Sequence, residues 1–147
     1  MTIFLAADHA GFELKEFIKK ELESKGHKIV DKGAYMLEPE DDYPLYMKAA
    51  ALEVQKNPES RGIIFGGSGQ GEAIAANRFR GVRAAVYYGG NKEIIVLSRE
   101  HNDANILSLG ARFLSISEAQ EAVFLWLETK FSGDERHKRR IGELDES

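Results

Sequence analysis

The stretch Gly62-Ile63-Ile64-Phe65-Gly66-Gly67-Ser68-Gly69-Gln70-Gly71-Glu72-Ala73-Ile74-Ala75-Ala76-Asn77-Arg78 decides the fold. A short apolar run enters a segment with four glycines in six residues, and an alanine-rich helical pattern follows. A strand apolar on both faces belongs inside a parallel sheet covered by helices. A glycine loop between such a strand and a helix lets backbone N–H groups converge on an anion at the helix N-terminus.

Working outward, apolar runs at 3–7, 28–30, 62–65, 83–87 and 106–109 alternate with helical patterns. Between the first two, Leu14, Phe17, Ile18 and Leu22 keep one helical face, and Gly26 supplies a stop. Asp42-Tyr43-Pro44 opens the second helix, with proline where its missing N–H costs nothing. The spacing turns Leu45, Ala49 and Leu52 inward and ends this helix before Asn57-Pro58. A third helix runs from the glycine loop to about Asn77, and a fourth covers 92–100. A fifth starts at Ser117, with Ser117 and Gln120 as a capping box and Ala119, Ala122, Val123, Trp126 and Leu127 facing in. This alternation predicts a single α/β domain over 1–131, followed by a charged C-terminal arm over 132–147. Right-handed crossovers gather the strand C-termini on one edge, where ligands bind in such folds. Asp8-His9, residues 66–72 and the flanks of the fifth strand are therefore the candidate site.

The composition narrows the function. The chain has 147 residues, 43% hydrophobic and 30% charged, which describes an ordinary globular domain. A net charge of −4 argues against nucleic acid as a main partner. With no cysteine there is no disulfide, thiolate metal site or thiol nucleophile. The opening apolar run breaks at Asp8 with no basic segment before it, and no membrane-length apolar run exists. The expectation is a cytoplasmic protein.

The loop fits none of the common anion motifs. The dinucleotide fingerprint matches at Gly67 and Gly69 but meets Glu72 where its third glycine belongs; a Walker loop needs lysine after Gly71; a hydrolase elbow needs glycine where Gln70 stands. What remains is an oxyanion cradle with a hydroxyl, Ser68, and a carboxylate, Glu72. A carboxylate repels phosphate but suits an enediolate, taking a carbon-bound proton while the N–H groups meet the developing charge. Alternatively, Glu72 is a first-turn acid favoured by the helix dipole.

Taken together and in order, Asp8-His9, Asp42-Tyr43-Pro44, residues 66–72, Arg99-Glu100-His101-Asn102-Asp103 and Arg136-His137-x-x-Arg140 resemble the B-type ribose-5-phosphate isomerases, from residue 3 to about 141. The resemblance implies a Rossmann-like three-layer α/β/α fold with a five-stranded parallel sheet. It also implies no metal or other cofactor, and a homodimer, in some members paired into tetramers. The expected substrates are ribose 5-phosphate and ribulose 5-phosphate, with no nucleic acid and no membrane as partner. Members of this family carry their base either as a cysteine ending the third strand or as a glutamate opening the next helix. This chain has Gly66 at the first position and Glu72 at the second, so the resemblance selects Glu72. It further implies that Ser68 relays protons between the sugar oxygens and that His101 opens the furanose ring. Gly67, Gly69, Gln70 and Gly71 N–H groups, with Asn102, would bind the enediolate; Asp8 and Tyr43 would contact the sugar; His9, Arg112, Arg136 and Arg140 would hold the phosphate. Each has a plainer reading: turn residues for Asp8, Ser68 and Asn102, a packed or surface ring for His101, a solvated basic run for Arg136–Arg140. His27 and His137 receive no role. Two rivals stand beside this reading: an isomerase of six- or four-carbon sugar phosphates, and a sensor that binds without catalysis.

Overall fold

Five short strands and six helices alternate along the chain in the computed structural model, which describes residues 1–146. Strands β1 (Thr2–Ala7), β2 (Lys28–Asp31), β3 (Arg61–Gly66), β4 (Ala84–Tyr87) and β5 (Ile106–Gly110) form one sheet in the order β2-β1-β3-β5-β4. Every pairing is parallel. Helices α1 (Phe12–Ser24), α4 (Glu93–Glu100) and α5 (Ile116–Glu128) cover one face, and α2 (Tyr43–Lys56) with α3 (Gln70–Ala76) covers the other. Helix α6 (Glu135–Leu144) ends the fold.

The strand alternation explains the layering. Ile3, Leu5, Ile63, Phe65, Leu107 and Leu109 point into the first core with Leu14, Ile18, Ile95, Val123 and the fully buried Trp126. Phe4, Ala6, Ile64 and Ile106 point the other way, onto Met47, Ala50, Ala51 and Val54. Successive side chains of a strand face opposite sides, so a central strand covered twice must be apolar throughout. The three-layer α/β/α expectation is met.

Three local expectations are corrected. In α2 the buried face is Met47, Ala50, Ala51 and Val54, while Leu45 and Leu52 are exposed. Leucine is the usual inward signal, but here the helix is turned so that Met47, Ala50, Ala51 and Val54 meet Phe4, Ala6, Ile64 and Ile106. Helix α5 is capped by Ser115, whose Oγ accepts from the Glu118 N–H while the Glu118 carboxylate accepts from the Ser115 N–H. That is a capping box two residues earlier than the one sought at Ser117. The fourth strand begins at Ala84; the Arg83 carbonyl still accepts from the Ile106 N–H, but its own N–H donates to the Asn105 side chain. No helix among the described residues is long and apolar enough to cross a membrane.

Candidate active site

Chain connections leave β1 toward β2 on one side and β3 toward β4 on the other, so a crevice opens between the C-terminal ends of β1 and β3. A cleft of about 300 Å³ lies there, lined by Asp8, His9, Ala10, Tyr43, Gly67, Ser68, Gly71, Glu72 and Arg112. Glycine is required around it by close approach. A Cβ on Gly71 would come 2.6 Å from the Tyr43 hydroxyl, and one on Gly110 would come 2.6 Å from the Ser68 carbonyl oxygen. Gly69 has a φ of 79°, the left-handed region, as the loop turns into α3. The buried Ser108 hydroxyl donates to the Gly69 carbonyl at 2.7 Å, tying the loop to β5.

Glu72 sits in the first turn of α3 and is 4% exposed. Burial raises its pKa; the adjacent Asp8 adds to this, while a hydrogen bond from its own N–H and the charge of Arg112 pull the other way. A carboxyl whose proton affinity is lifted while it faces an open cleft is a base suited to a weakly acidic carbon proton. Ser68 accepts from the Gln70 N–H at 3.3 Å. Asp8 uses one oxygen to accept from Ala10 N–H (3.0 Å) and Gly11 N–H (3.2 Å). The turn reading of Asp8 is thus correct for that oxygen, although its carboxylate also lines the cleft. His9 is set by Asp41, whose Oδ1 lies 2.8 Å from His9 Nδ1 and also accepts from its N–H. Asp41 and Ser108 were not found from sequence. Asp41 is one of a run of acids with no spacing to single it out, and Ser108 looks like a break in an apolar strand.

The remaining predicted residues lie elsewhere. His101 caps the C-terminus of α4, and Asn102 follows in the turn leading into β5. Buried Arg99 builds that turn, donating to the carbonyls of Thr129 and Ala104 and to Asp103. Because β3 and β5 are parallel, with Gly62 beside Ile106 and Gly66 beside Gly110, this turn sits at the edge where β5 begins. Glu72 follows the edge where β3 ends. The strand between them spans about 13 Å at ~3.3 Å per residue. Helix α6 joins the His101 edge: Asp145 accepts from the Gly81 N–H, the Ser132 N–H donates to Glu100, and His137 stacks on His101. Arg136 and Arg140 are exposed on that helix. One chain therefore assembles Asp8, His9, Tyr43, the glycine loop, Ser68, Glu72 and Arg112 at one edge, and His101, Asn102, Arg136 and Arg140 at the other. The expected four-residue phosphate pocket of His9, Arg112, Arg136 and Arg140 does not form within a single chain. Among the described residues no three His, Asp or Glu side chains gather as a metal site.

A profile of the Ribose/Galactose Isomerase family matches residues 3–144. The chain is 43% identical over 146 residues to ribose-5-phosphate isomerase B of Mycolicibacterium paratuberculosis, covering 99% of this chain and 91% of that one. It is 38% identical over 139 residues to the Escherichia coli enzyme of the same name, covering 95% and 91%. Among solved structures it resembles ribose-5-phosphate isomerase B from Mycoplasma genitalium with bound ribulose-5-phosphate, at TM-score 0.92 and 38% identity, covering 97% of this chain and 93% of that one. The Thermotoga maritima ribose 5-phosphate isomerase matches with TM-score 0.92 and 42% identity, covering 99% and 98%.

Proposed function

Because the chain belongs to the ribose/galactose isomerase family, we propose that Glu72 is the base with which it interconverts ribose 5-phosphate and ribulose 5-phosphate. The protein is an aldose–ketose isomerase of sugar phosphates. In the open-chain aldose the Glu72 carboxylate takes the C2 proton, and the electron pair moves onto the carbonyl oxygen as an enediolate. N–H groups of Gly67, Gly69, Gln70 and Gly71 meet that charge. Ser68 passes a proton between the two oxygens, and Glu72 returns its proton to C1.

The overlap at Gly66 carries this reading. A Cβ built on Gly66 would run into the Glu72 carboxylate. In the cysteine form of the family the base stands at that strand end, so the carboxylate here fills the space of the other base. The test is Glu72→Gln, which keeps shape and removes basicity. Turnover should fall on the order of 10²–10⁴, while ribose 5-phosphate still protects the variant against thermal unfolding. More than about a tenth of kcat surviving would remove Glu72 from the role.

Glu72 and His101 lie on opposite edges, and this supports a site shared by two subunits of a homodimer. In a two-fold pair each chain gives its loop to one site and its His101 edge to the other. Arg136, Arg140 and Asn102 of the arm and turn would then complete the pocket begun by His9 and Arg112. The arm, 132–147, is accordingly a functional appendage of the 1–131 domain. A cytoplasmic location belongs to the same reading, since doubly charged sugar phosphates do not cross bilayers unaided. EDTA should leave turnover unchanged; a collapse restored by a divalent ion would replace N–H stabilisation with metal assistance.

A further inference from the structure

We propose that His137 is a positioning residue for His101, presenting a flat ring that fixes the plane of the imidazole that opens the sugar ring. The inference rests on the ring-opening role of His101 given above. The two rings lie 4.3 Å apart between centroids and 19° from parallel. His137 is 5% exposed, and its Nε2 is buried without a hydrogen-bond partner. A buried polar atom left unpaired costs stability, while the face of the ring is taken up by the stack on His101.

His101 needs such a support. It stands at the C-terminal cap of α4, where the chain leaves the helix, and it is only partly covered. A ring there is free to turn about two torsions unless something bears on its face. His137 is itself well anchored. Its N–H donates to the Asp134 carbonyl, and α6 is tied at both ends, through Ser132 to Glu100 and through Asp145 to Gly81.

Charge supports the arrangement. Burial lowers the pKa of His137 first, then the neighbouring His101, with Arg136 and Arg140 adding to it and Asp134 opposing. His137 is thus shifted toward its neutral form, the form that stacks on His101 with the least charge repulsion. Ring opening requires His101 to change state: a proton reaches the ring oxygen as its bond to C1 breaks, and the C1 hydroxyl gives up a proton as the aldehyde forms. The net proton count is unchanged, so the step asks the platform to fix the plane of the ring rather than to supply a proton. The same helix bears Arg136 and Arg140, so one rigid element sets the distance from phosphate anchor to ring-opening group.

The test separates ring opening from carbon proton transfer. Ribulose 5-phosphate has no furanose form, because its C5 oxygen carries the phosphate. Deuterium uptake at its C1 in D2O therefore reports Glu72 and the loop alone, whereas net conversion to ribose 5-phosphate also samples the ring step. His137→Leu keeps the volume and removes the flat face; His137→Phe keeps the face and removes the nitrogens. His137→Leu should lower conversion on the order of tenfold with deuterium uptake held near wild type, raising the exchange-to-conversion ratio. His137→Phe should restore the wild-type ratio. An unchanged ratio in His137→Leu, or conversion and exchange falling together, would overturn the proposal. So would His137→Phe failing like His137→Leu, since a nitrogen would then be the active feature. His101→Ala is the reference: if it leaves the ratio unchanged, the ring-opening role falls; if it raises the ratio and His137→Leu does not, only the positioning role falls.

Discussion

Burial and Asp8 lift the pKa of Glu72 against the pull of its own N–H and Arg112, so the folded chain holds this proton more tightly than an ordinary glutamate does. Catalysis needs the other form, and the acid limb of the pH–rate profile should lie above the ordinary glutamate value of about 4.3. A limb at or below that value would contradict the burial. The same shift bears on stability. A carboxyl whose folded pKa exceeds its unfolded one contributes stability that is complete below the unfolded pKa and is lost as pH rises through the folded one. Glu72→Gln should therefore melt higher than wild type at neutral pH, with the gain vanishing in acid. Equal melting temperatures at pH 7 would count against a strained carboxylate. Gly66 makes a second prediction at this scale. Gly66→Cys alone should be inactive through collision with Glu72, and Glu72→Ala alone inactive for want of a base. The double variant should recover measurable turnover that iodoacetamide then destroys. Among single residues, the position of Glu72 and Ser68 in the cleft was legible from the glycine loop, while the base role proposed for Glu72 came from the family resemblance and not from spacing. Asp41 was not, because a hydrogen bond across 32 residues leaves no trace in local spacing.

At the scale of elements, the central strands were legible nearly to the residue, since burial on both faces favours apolar runs. Helices were legible in existence but less in orientation. In α2 the face of Met47, Ala50, Ala51 and Val54 packs against the sheet while Leu45 and Leu52 point out, and hydrophobicity alone ranks leucine above alanine. The tail was the least legible element. Its periodicity reads as solvated charge, and only its neighbours order it into α6. That helix carries a kinetic prediction. Arg136→Ala and Arg140→Ala should each raise KM for ribose 5-phosphate more than they lower kcat, and free ribose should be a very poor substrate. Unchanged kinetics in either variant, or good turnover of ribose, would remove α6 from phosphate binding.

For the whole molecule, the two edges of one sheet hold the two groups of proposed site residues. This much was legible in the sequence, since the glycine loop follows the third strand and His101 precedes the fifth, and in a parallel sheet those are opposite ends; the register of β3 and β5 agrees with it. Complementation tests the consequence. Glu72→Gln and His101→Ala homodimers should each be impaired, and refolding them together in equal amounts should restore activity towards about a quarter of wild type, half the dimers being mixed and half their sites whole. No recovery despite proven subunit exchange would mean that each chain builds its own site. If the proposed two-subunit site holds, a chain is also inert by itself, and activity would follow gene dosage differently. Once chain concentration falls below the dimer dissociation constant, working sites decline with its square. Halving expression would then leave a cell about a quarter of the enzyme activity, and this isomerase would behave as a threshold on its own abundance.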